Sequence, residues 1–391
     1  MFEPNKPLKL LQHKHEFMYK EVPEIAPSTF DDIIETNVTS LKFECSDYEI
    51  IPACPVEYVD ITRSKEAFGR PSLRMLWRQL WDSNLQIKRQ ALERLSLVLH
   101  DPEKCFEAIR INTIARLQPL CTQKEDFMRE RCAMILLCLV QMDRGRESFM
   151  SNLSAVYNLK IMIQDYHFNV RLKSNEVLEL LAFNFFAAKV LIDYEFLPIV
   201  INNIIEDEEN EIVRIHLDIL KSLLQTDAKE EAIDLGALPA LMQIIMTFND
   251  DTCSKAEGCL ALLMEHAKGK EMAVYDKFLP MLADKLFSED ERVVQKAAAC
   301  VMNITHTTPS KTLAFQMGLH VRLLDLAKSF RNQELQINCV KALTNISEVP
   351  EAREEVLKKK SIIENIPTAE GKSESLKRHI KTLINSIDFK I

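Results

Sequence analysis

The chain has 391 residues, of which 47% are hydrophobic and only seven are glycine, and its formal net charge at pH 7 is −9. This length exceeds one compact helical core and suits several domains or one repeat array. The shortage of glycine argues against nucleotide-binding loops and hairpin-rich β folds, which need positive-φ positions. The acidic balance predicts no nucleic-acid partner.

The N-terminal segment, residues 1–56, contains six prolines that interrupt any helical apolar period. We expect an extended, partly disordered arm there, with one short helix near residues 8–19. Its start is too polar for a signal peptide, and no apolar run approaches the length that a membrane span requires. Cysteines among apolar neighbours, such as Cys132 and Cys300, indicate buried free thiols in a reducing compartment. We therefore predict a cytoplasmic protein with an arm at 1–56 and a helical array at 57–391.

A repeat becomes visible after residue 59, where the apolar period is helical. The Leu-Pro pairs at Pro198, Pro239 and Pro280 are evenly spaced along the chain. Proline is tolerated in the first turn of a helix because its missing N–H has no partner there. Each Leu-Pro pair is therefore predicted to begin a helix.

Two further rows recur with nearly the same period as the Leu-Pro pairs. One comprises Leu97, Leu139, Leu181, Leu223, Leu263, Asn303 and Asn345. The other comprises Ala108, Phe149, Val190, Ala232, Ala273, Ala314 and Val356. Three rows per period predict three helices per repeat, which is typical of armadillo arrays, and stacking buries the apolar faces. We expect an all-α, armadillo-like right-handed superhelical solenoid with about six full repeats between residues 103 and 345. Helical caps are expected at 70–80 and 85–99 and at 352–360 and 373–387.

The N-terminal part of the array carries a more particular pattern. It runs through Val56-Glu57-Tyr58-Val59-Asp60-Ile61-Thr62, Ala67-Phe68-Gly69-Arg70-Pro71-Ser72-Leu73, Gln86-Ile87-Lys88-Arg89-Gln90-Ala91-Leu92, Leu99-His100-Asp101-Pro102-Glu103 and Glu107-Ala108-Ile109, with Val349-Pro350-Glu351-Ala352-Arg353 near the end. From about residue 56 to 357 the chain resembles the radial spoke head 14 family, armadillo-repeat proteins of motile cilia and flagella. The arm before residue 56 departs from that family pattern.

The resemblance implies a structural role. Radial spokes project from axonemal doublet microtubules toward the central pair, and an armadillo subunit there would bind other spoke proteins. We expect a scaffold in the cytoskeleton of a cilium or sperm flagellum. The alternative is a general cytoplasmic armadillo adaptor for the assembly or transport of a protein complex.

The sequence offers no convincing catalytic or metal site. His13 and His15, with Glu16, form the one close histidine cluster in the sequence. A structural zinc site has four ligands, so this cluster lacks the full set. Walker, Gly-x-Ser-x-Gly, His-Glu-x-x-His and Gly-x-Gly-x-x-Gly motifs are absent from the sequence. We expect no enzyme, no cofactor and no small-molecule substrate. His100, before Asp101-Pro102, is interpreted as the end of a helix.

Asn303 and Asn345 are the candidate partner-binding residues because they replace leucine in their row. In armadillo proteins an asparagine on the third helix often bonds the backbone of an extended peptide, since an amide both donates and accepts. On this reading both side chains should be accessible. The second interpretation, equally weighted, is that each amide ties its own repeat together.

Importin-type cargo receptors place a tryptophan one turn before such an asparagine, where this chain has Ala299 and Lys341. Basic-cargo binding is therefore disfavoured. Trp77 and Trp81 are expected to fill the core of the N-terminal cap.

The sequence contains two runs of like charge. The acidic run at 206–211 is interpreted as a solvated loop between the second and third helices of its repeat, with contact to a basic partner as the alternative. Lys358-Lys359-Lys360 is interpreted as a helix C-terminus, with contact to acidic tubulin tails as a lesser alternative.

Overall fold

A computed structural model describes residues 70–207, 209–329, 332–367 and 374–389. The predicted arm at 1–56 and its short helix lie outside these residues. Within them, every regular element is an α-helix.

The described helices form a two-helix cap, Arg70–Gln79 and Leu85–Val98, followed by seven three-helix repeats. Repeat 1 comprises Pro102–Arg110, Thr113–Cys121 and Asp126–Val140, and repeat 2 comprises Asp143–Met150, Leu153–Met162 and Phe168–Ala182. Repeat 3 comprises Phe185–Asp193, Phe196–Glu206 and Asn210–Leu223, and repeat 4 comprises Lys229–Asp234, Ala237–Thr247 and Asp250–Leu263. Repeat 5 comprises Ala267–Tyr275, Phe278–Lys285 and Glu291–Ile304, and repeat 6 comprises Thr308–Gln316, Leu319–Ala327 and Gln333–Ile346. Repeat 7 comprises Pro350–Leu357, Lys360–Glu364 and Glu374–Asp388, so the expected C-terminal cap is a further repeat with a short second helix.

The turn between the first and second helices has the same backbone conformation in several repeats. Its last residue is left-handed at Asn112, Glu195 and Lys277, with φ of 57–58°, and at Gly236 and Gly318, with φ of 82° and 72°. The helix that follows Glu195, Gly236 and Lys277 carries the Leu-Pro pair in its first turn. The prediction that each Leu-Pro pair begins a helix is confirmed.

The core is one continuous cluster along the array. Leu139, Leu181, Leu223 and Leu263 are fully buried at the ends of successive third helices. On the first helices, Ala108, Phe149, Ala232, Ala273 and Ala314 are also fully buried. Burial of these rows carries the stacking of one repeat on the next, because no single repeat can cover its own apolar face.

The register of the leucine row was wrong at both ends. Leu97 is 65% exposed, while Leu95 and Leu99 are buried. At the other end the buried positions belong to Ile304 and Ile346, one residue after the asparagines. The corrected row runs Val98, Leu139, Leu181, Leu223, Leu263, Ile304 and Ile346. Asn303 and Asn345 belong to the adjacent row, with Cys138, Leu180, Ser222 and Leu262.

Buried thiols connect neighbouring third helices. The Cys259 thiol donates to the carbonyl of Leu217 (Sγ–O 3.3 Å), and the Cys300 thiol donates to the carbonyl of Glu257 (3.2 Å). Burial raises the pKa of Cys259 to about 12, which keeps the thiol protonated and unreactive. The cysteines of the described residues are free, as expected.

Candidate partner-binding surface

The second helix of the cap and the third helices of the seven repeats pack side by side in chain order. Their outward residues form one continuous strip, which we call the third-helix surface. Because the period is nearly constant, equivalent residues of successive repeats lie in rows across this strip. Such a strip suits an extended partner that crosses several repeats.

Asn303 and Asn345 lie at the edge of this surface but are mostly buried, at 7% and 8% exposure. The amide of Asn303 donates to the carbonyl of Ala261 (Nδ2–O 2.8 Å). The amide of Asn345 donates to the equivalent carbonyl of Met302 one repeat later (3.1 Å). The expectation of accessible side chains is wrong, because both amide NH2 groups tie a third helix to the preceding one. Their oxygens accept no hydrogen bond from other described residues.

The row one turn before the asparagines changes charge along the array. Glu176 and Asp218 occupy it in repeats 2 and 3, Gly258 and Ala299 in repeats 4 and 5, and Lys341 in repeat 6. Each acid at its N-terminal end pairs with a lysine, Glu176 with Lys173 (Oε1–Nζ 2.8 Å) and Asp218 with Lys255. Sequence reasoning noticed Ala299 and Lys341 as replacements for tryptophan but missed this gradient.

The two tryptophans lie around an arginine of the first repeat. The guanidinium carbon of Arg116 lies 4.2 Å from the ring centroid of Trp77 and 3.8 Å from that of Trp81. Trp81 donates its indole N–H to the carbonyl of Arg116 (3.1 Å). Trp81 is 57% exposed, so the expectation that both tryptophans fill the cap core is wrong. They join the cap to repeat 1 by cation–π contact.

A second exposed row lies at the ends of the second helices. Ile205, Met246 and Phe287 are each more than half exposed and lie at equal intervals along the chain. The residue before each, Ile204, Ile245 or Leu286, is buried in the core. The even spacing could have revealed this row from the sequence, but the pattern could not tell which residue is exposed, since each exposed residue follows another apolar one.

Within the acidic run, Glu206 ends the helix Phe196–Glu206 and Glu211 lies in the helix Asn210–Leu223, so the run spans the junction of the second and third helices, as predicted. It is not all solvated, because the Asp207 side chain is 8% exposed and pairs with Arg171 (Nε–Oδ2 2.9 Å). The lysine run at 358–360 lies between two helices. The helix before it ends at Leu357, and Lys360 begins the next helix and pairs with Asp388 (Nζ–Oδ2 2.6 Å).

Two titratable side chains are buried and form no ion pair among the described residues. Glu257 has no hydrogen-bond partner for its carboxyl oxygens among the described residues. Burial, opposed by Lys285, raises its pKa to about 8. The adjacent Cys253 thiol donates to the carbonyl of Ile245 instead (Sγ–O 3.7 Å). Burial lowers the pKa of His216 to about 4, and its Nε2 lies 3.3 Å from the amide nitrogen of Asn203.

No group of three or more His, Cys, Asp or Glu side chains in the described part of the chain could hold a metal ion. His13, His15 and Glu16 lie outside that part. None of the described helices combines the length and apolarity that a membrane span requires. His100 follows the helix Leu85–Val98, in agreement with its interpretation as a helix end.

Comparison with known proteins supports the fold. No family model matches the chain. The crystal structure of an engineered protein is similar over 82% of this chain and 79% of its own, with a TM-score of 0.72 at 16% identity. A designed armadillo repeat protein is similar over 59% of this chain and 99% of its own, with a TM-score of 0.53 at 15% identity. The chain has an armadillo-like, all-α solenoid fold, as predicted.

Proposed function

We propose that this protein is a binding scaffold and that its place is the radial spoke of the axoneme, where it holds other spoke proteins in motile cilia or sperm flagella. The observation that carries the scaffold role is the unbroken third-helix surface. A partner that crosses several repeats gains contacts from each without any repeat having to move.

The axonemal assignment rests on the sequence resemblance between residues 56 and 357. Within it, Asp101 caps the first helix of repeat 1 by accepting from the Glu103 N–H (2.9 Å), and Pro102 occupies the first turn. This His-Asp-Pro-Glu turn sets the junction between the cap and the repeats. Helix capping alone explains the turn, so it points to no particular partner.

The partners we propose are proteins, with no nucleic acid, membrane or small molecule required. The amide oxygens of Asn303 and Asn345 are candidate acceptors for backbone N–H groups of a bound segment, since their NH2 groups are already engaged. Each asparagine therefore donates a hydrogen bond within the array through its NH2 group and offers its amide oxygen as an acceptor to a partner.

Localisation in a ciliated or flagellated cell tests the proposal. The tagged full chain should remain with axonemes after detergent extraction, and cross-linking mass spectrometry should connect it to spoke subunits. A tagged cytosolic protein should be extracted completely in the same preparation. A diffuse, fully extracted signal would overturn the axonemal assignment and favour the general cytoplasmic adaptor.

A further inference from the structure

The first helices of repeats 4, 5 and 6 each carry a lysine at the same position: Lys229, Lys270 and Lys311. In repeat 4 the lysine pairs with Glu265, just after the third helix (Nζ–Oε2 2.5 Å). In repeat 6 Lys311 pairs with Glu348 in the equivalent place.

Repeat 5 departs from this pattern because His306 occupies the position of the glutamate. Lys270 consequently forms no ion pair with any described side chain. Lys341, which faces outward from the third helix of repeat 6, has no described carboxylate partner either. The array thus leaves two ammonium groups uncompensated near one histidine.

Further positive charge surrounds this point. Partial burial, followed by the charges of Lys270, Lys311 and Lys341, lowers the pKa of His306, while Glu348 opposes them. Burial, then Lys341 and Arg378, lowers the pKa of His379 on the last third helix. Lys341 is therefore close to both histidines. We call this surface of repeats 5 to 7 the basic patch, formed by Lys270, His306, Lys311, Lys341, Arg378 and His379.

The surface beside the basic patch leaves room for one extended chain. Gly258 and Ala299 precede Lys341 in its row, and a Cβ on Gly258 would meet no atom nearer than 4.0 Å. A partner backbone can therefore approach closely beside the patch. Farther along, Glu176 and Asp218 are already paired with Lys173 and Lys255.

We propose that the basic patch binds an acidic, extended segment of a partner protein, whose carboxylates pair with Lys270 and Lys341. This rests on the scaffold function proposed above and adds the chemistry of the partner. Charge complementarity selects a short acidic segment, because the patch supplies four formal positive charges of which one, on Lys311, is already paired. A long polyanion such as nucleic acid would extend beyond the patch over a chain whose formal net charge is −9 and be repelled.

The test is fluorescence anisotropy of the full chain with a fluorescein-labelled Glu-rich dodecapeptide at low and physiological salt. The double variant Lys270→Ala/Lys341→Ala removes no ion pair within the described array. It should weaken binding by roughly five- to thirtyfold, which corresponds to about 1–2 kcal/mol. Its melting temperature should stay within error of the wild type. The charge-reversed double variant Lys270→Glu/Lys341→Glu should bind a Lys-rich dodecapeptide in preference.

The matched control is Lys88→Ala/Lys124→Ala, which changes net charge equally at the other end of the array. If both double variants weaken binding equally, the effect comes from net charge alone, and the proposal that the basic patch binds the peptide is wrong. No saturable binding of the acidic peptide would also overturn it, as would tighter binding of a labelled single-stranded oligonucleotide of equal charge. Axonemal retention of the wild-type protein is measured in a separate experiment. Loss of retention would contradict the radial-spoke assignment, whereas the peptide titration alone tests whether the basic patch binds an acidic segment.

Discussion

Arg129 and Asp165 form a bidentate ion pair between the third helix of repeat 1 and the loop that precedes the third helix of repeat 2. Nε lies 2.6 Å from Oδ2 and Nη2 lies 2.9 Å from Oδ1, and each side chain is 7% exposed. Arg171 and Asp207 repeat the pair in the next repeat along the array. Arg129 also donates to the carbonyl of Gln123 (Nη1–O 2.8 Å), so one guanidinium holds two loops together.

Breaking the ion pair between Arg129 and Asp165 should lower the free energy of unfolding. Asp165→Ala removes the buried carboxylate that pairs bidentately with Arg129 and leaves the partly exposed Asp126 (Nη2–Oδ1 2.8 Å) beside the guanidinium, so we expect the free energy of unfolding to fall by about 1.5–3 kcal/mol. Asp227→Ala is the control, because Asp227 is exposed and its pair with Lys189 should contribute about 0–1 kcal/mol. Urea titrations of both variants measure the difference. Equal, small losses would show that Arg129 finds other partners.

Leu223→Ala tests the corrected apolar row. Leu223 is fully buried at the centre of the array, and emptying a packed leucine site usually costs about 2–5 kcal/mol. Leu97→Ala, in the row that was misassigned, should cost much less because Leu97 is 65% exposed. Thermal melts that rank the two variants in the opposite order would contradict the register.

Glu257 should make stability depend on pH. Its folded pKa, about 8, is above the unfolded value near 4.5, so the folded state keeps a proton that the unfolded state releases between these values. The free energy of unfolding should therefore fall as pH rises from about 4.5 to 8, by at most about 1.4 kcal/mol per pH unit. Glu257→Gln should remove this slope and be more stable than the wild type at pH 8. Parallel profiles for the two proteins would show that Glu257 is not buried as a neutral acid.

The left-handed turn residues offer a paired test. Lys277 at φ 57° has a side chain where glycine would be less strained, so Lys277→Gly should raise stability by about 1 kcal/mol. Gly236 at φ 82° has open space around its Cα, so Gly236→Ala should lower stability by about the same amount through backbone strain alone. Denaturation midpoints measure both, and a stabilising Gly236→Ala would contradict the argument.

The sequence was sufficient for the architecture and insufficient for the surface. Pro198, Pro239 and Pro280 predicted three helix starts because proline chemistry is local. The row through Leu97 failed because the interval from the cap to repeat 1 is shorter by one position than the next interval, while leucine occupies positions 95, 97 and 99 alike. The contact of Trp81 with Arg116 joins the turn after the first cap helix to the second helix of repeat 1, and no periodic pattern in the sequence predicts it.

Asn303 and Asn345 give the last test, since the structure joins the two interpretations that the sequence left open. Asn345→Leu places in repeat 6 the residue type that repeat 4 has at Leu262. It keeps the apolar packing but removes the donor to Met302, so we expect a loss of about 0.5–1.5 kcal/mol. Asn303→Leu should do the same through Ala261.

Binding separates the two roles of the amides. If their oxygens accept from a partner backbone, the double leucine variant should bind the acidic dodecapeptide several-fold more weakly at a temperature where it is fully folded. The single variant Ser222→Ala, in the same row but in repeat 3, should leave binding unchanged. If the double variant binds with wild-type affinity but has a lowered melting temperature, the asparagines only link neighbouring third helices and do not bind the partner.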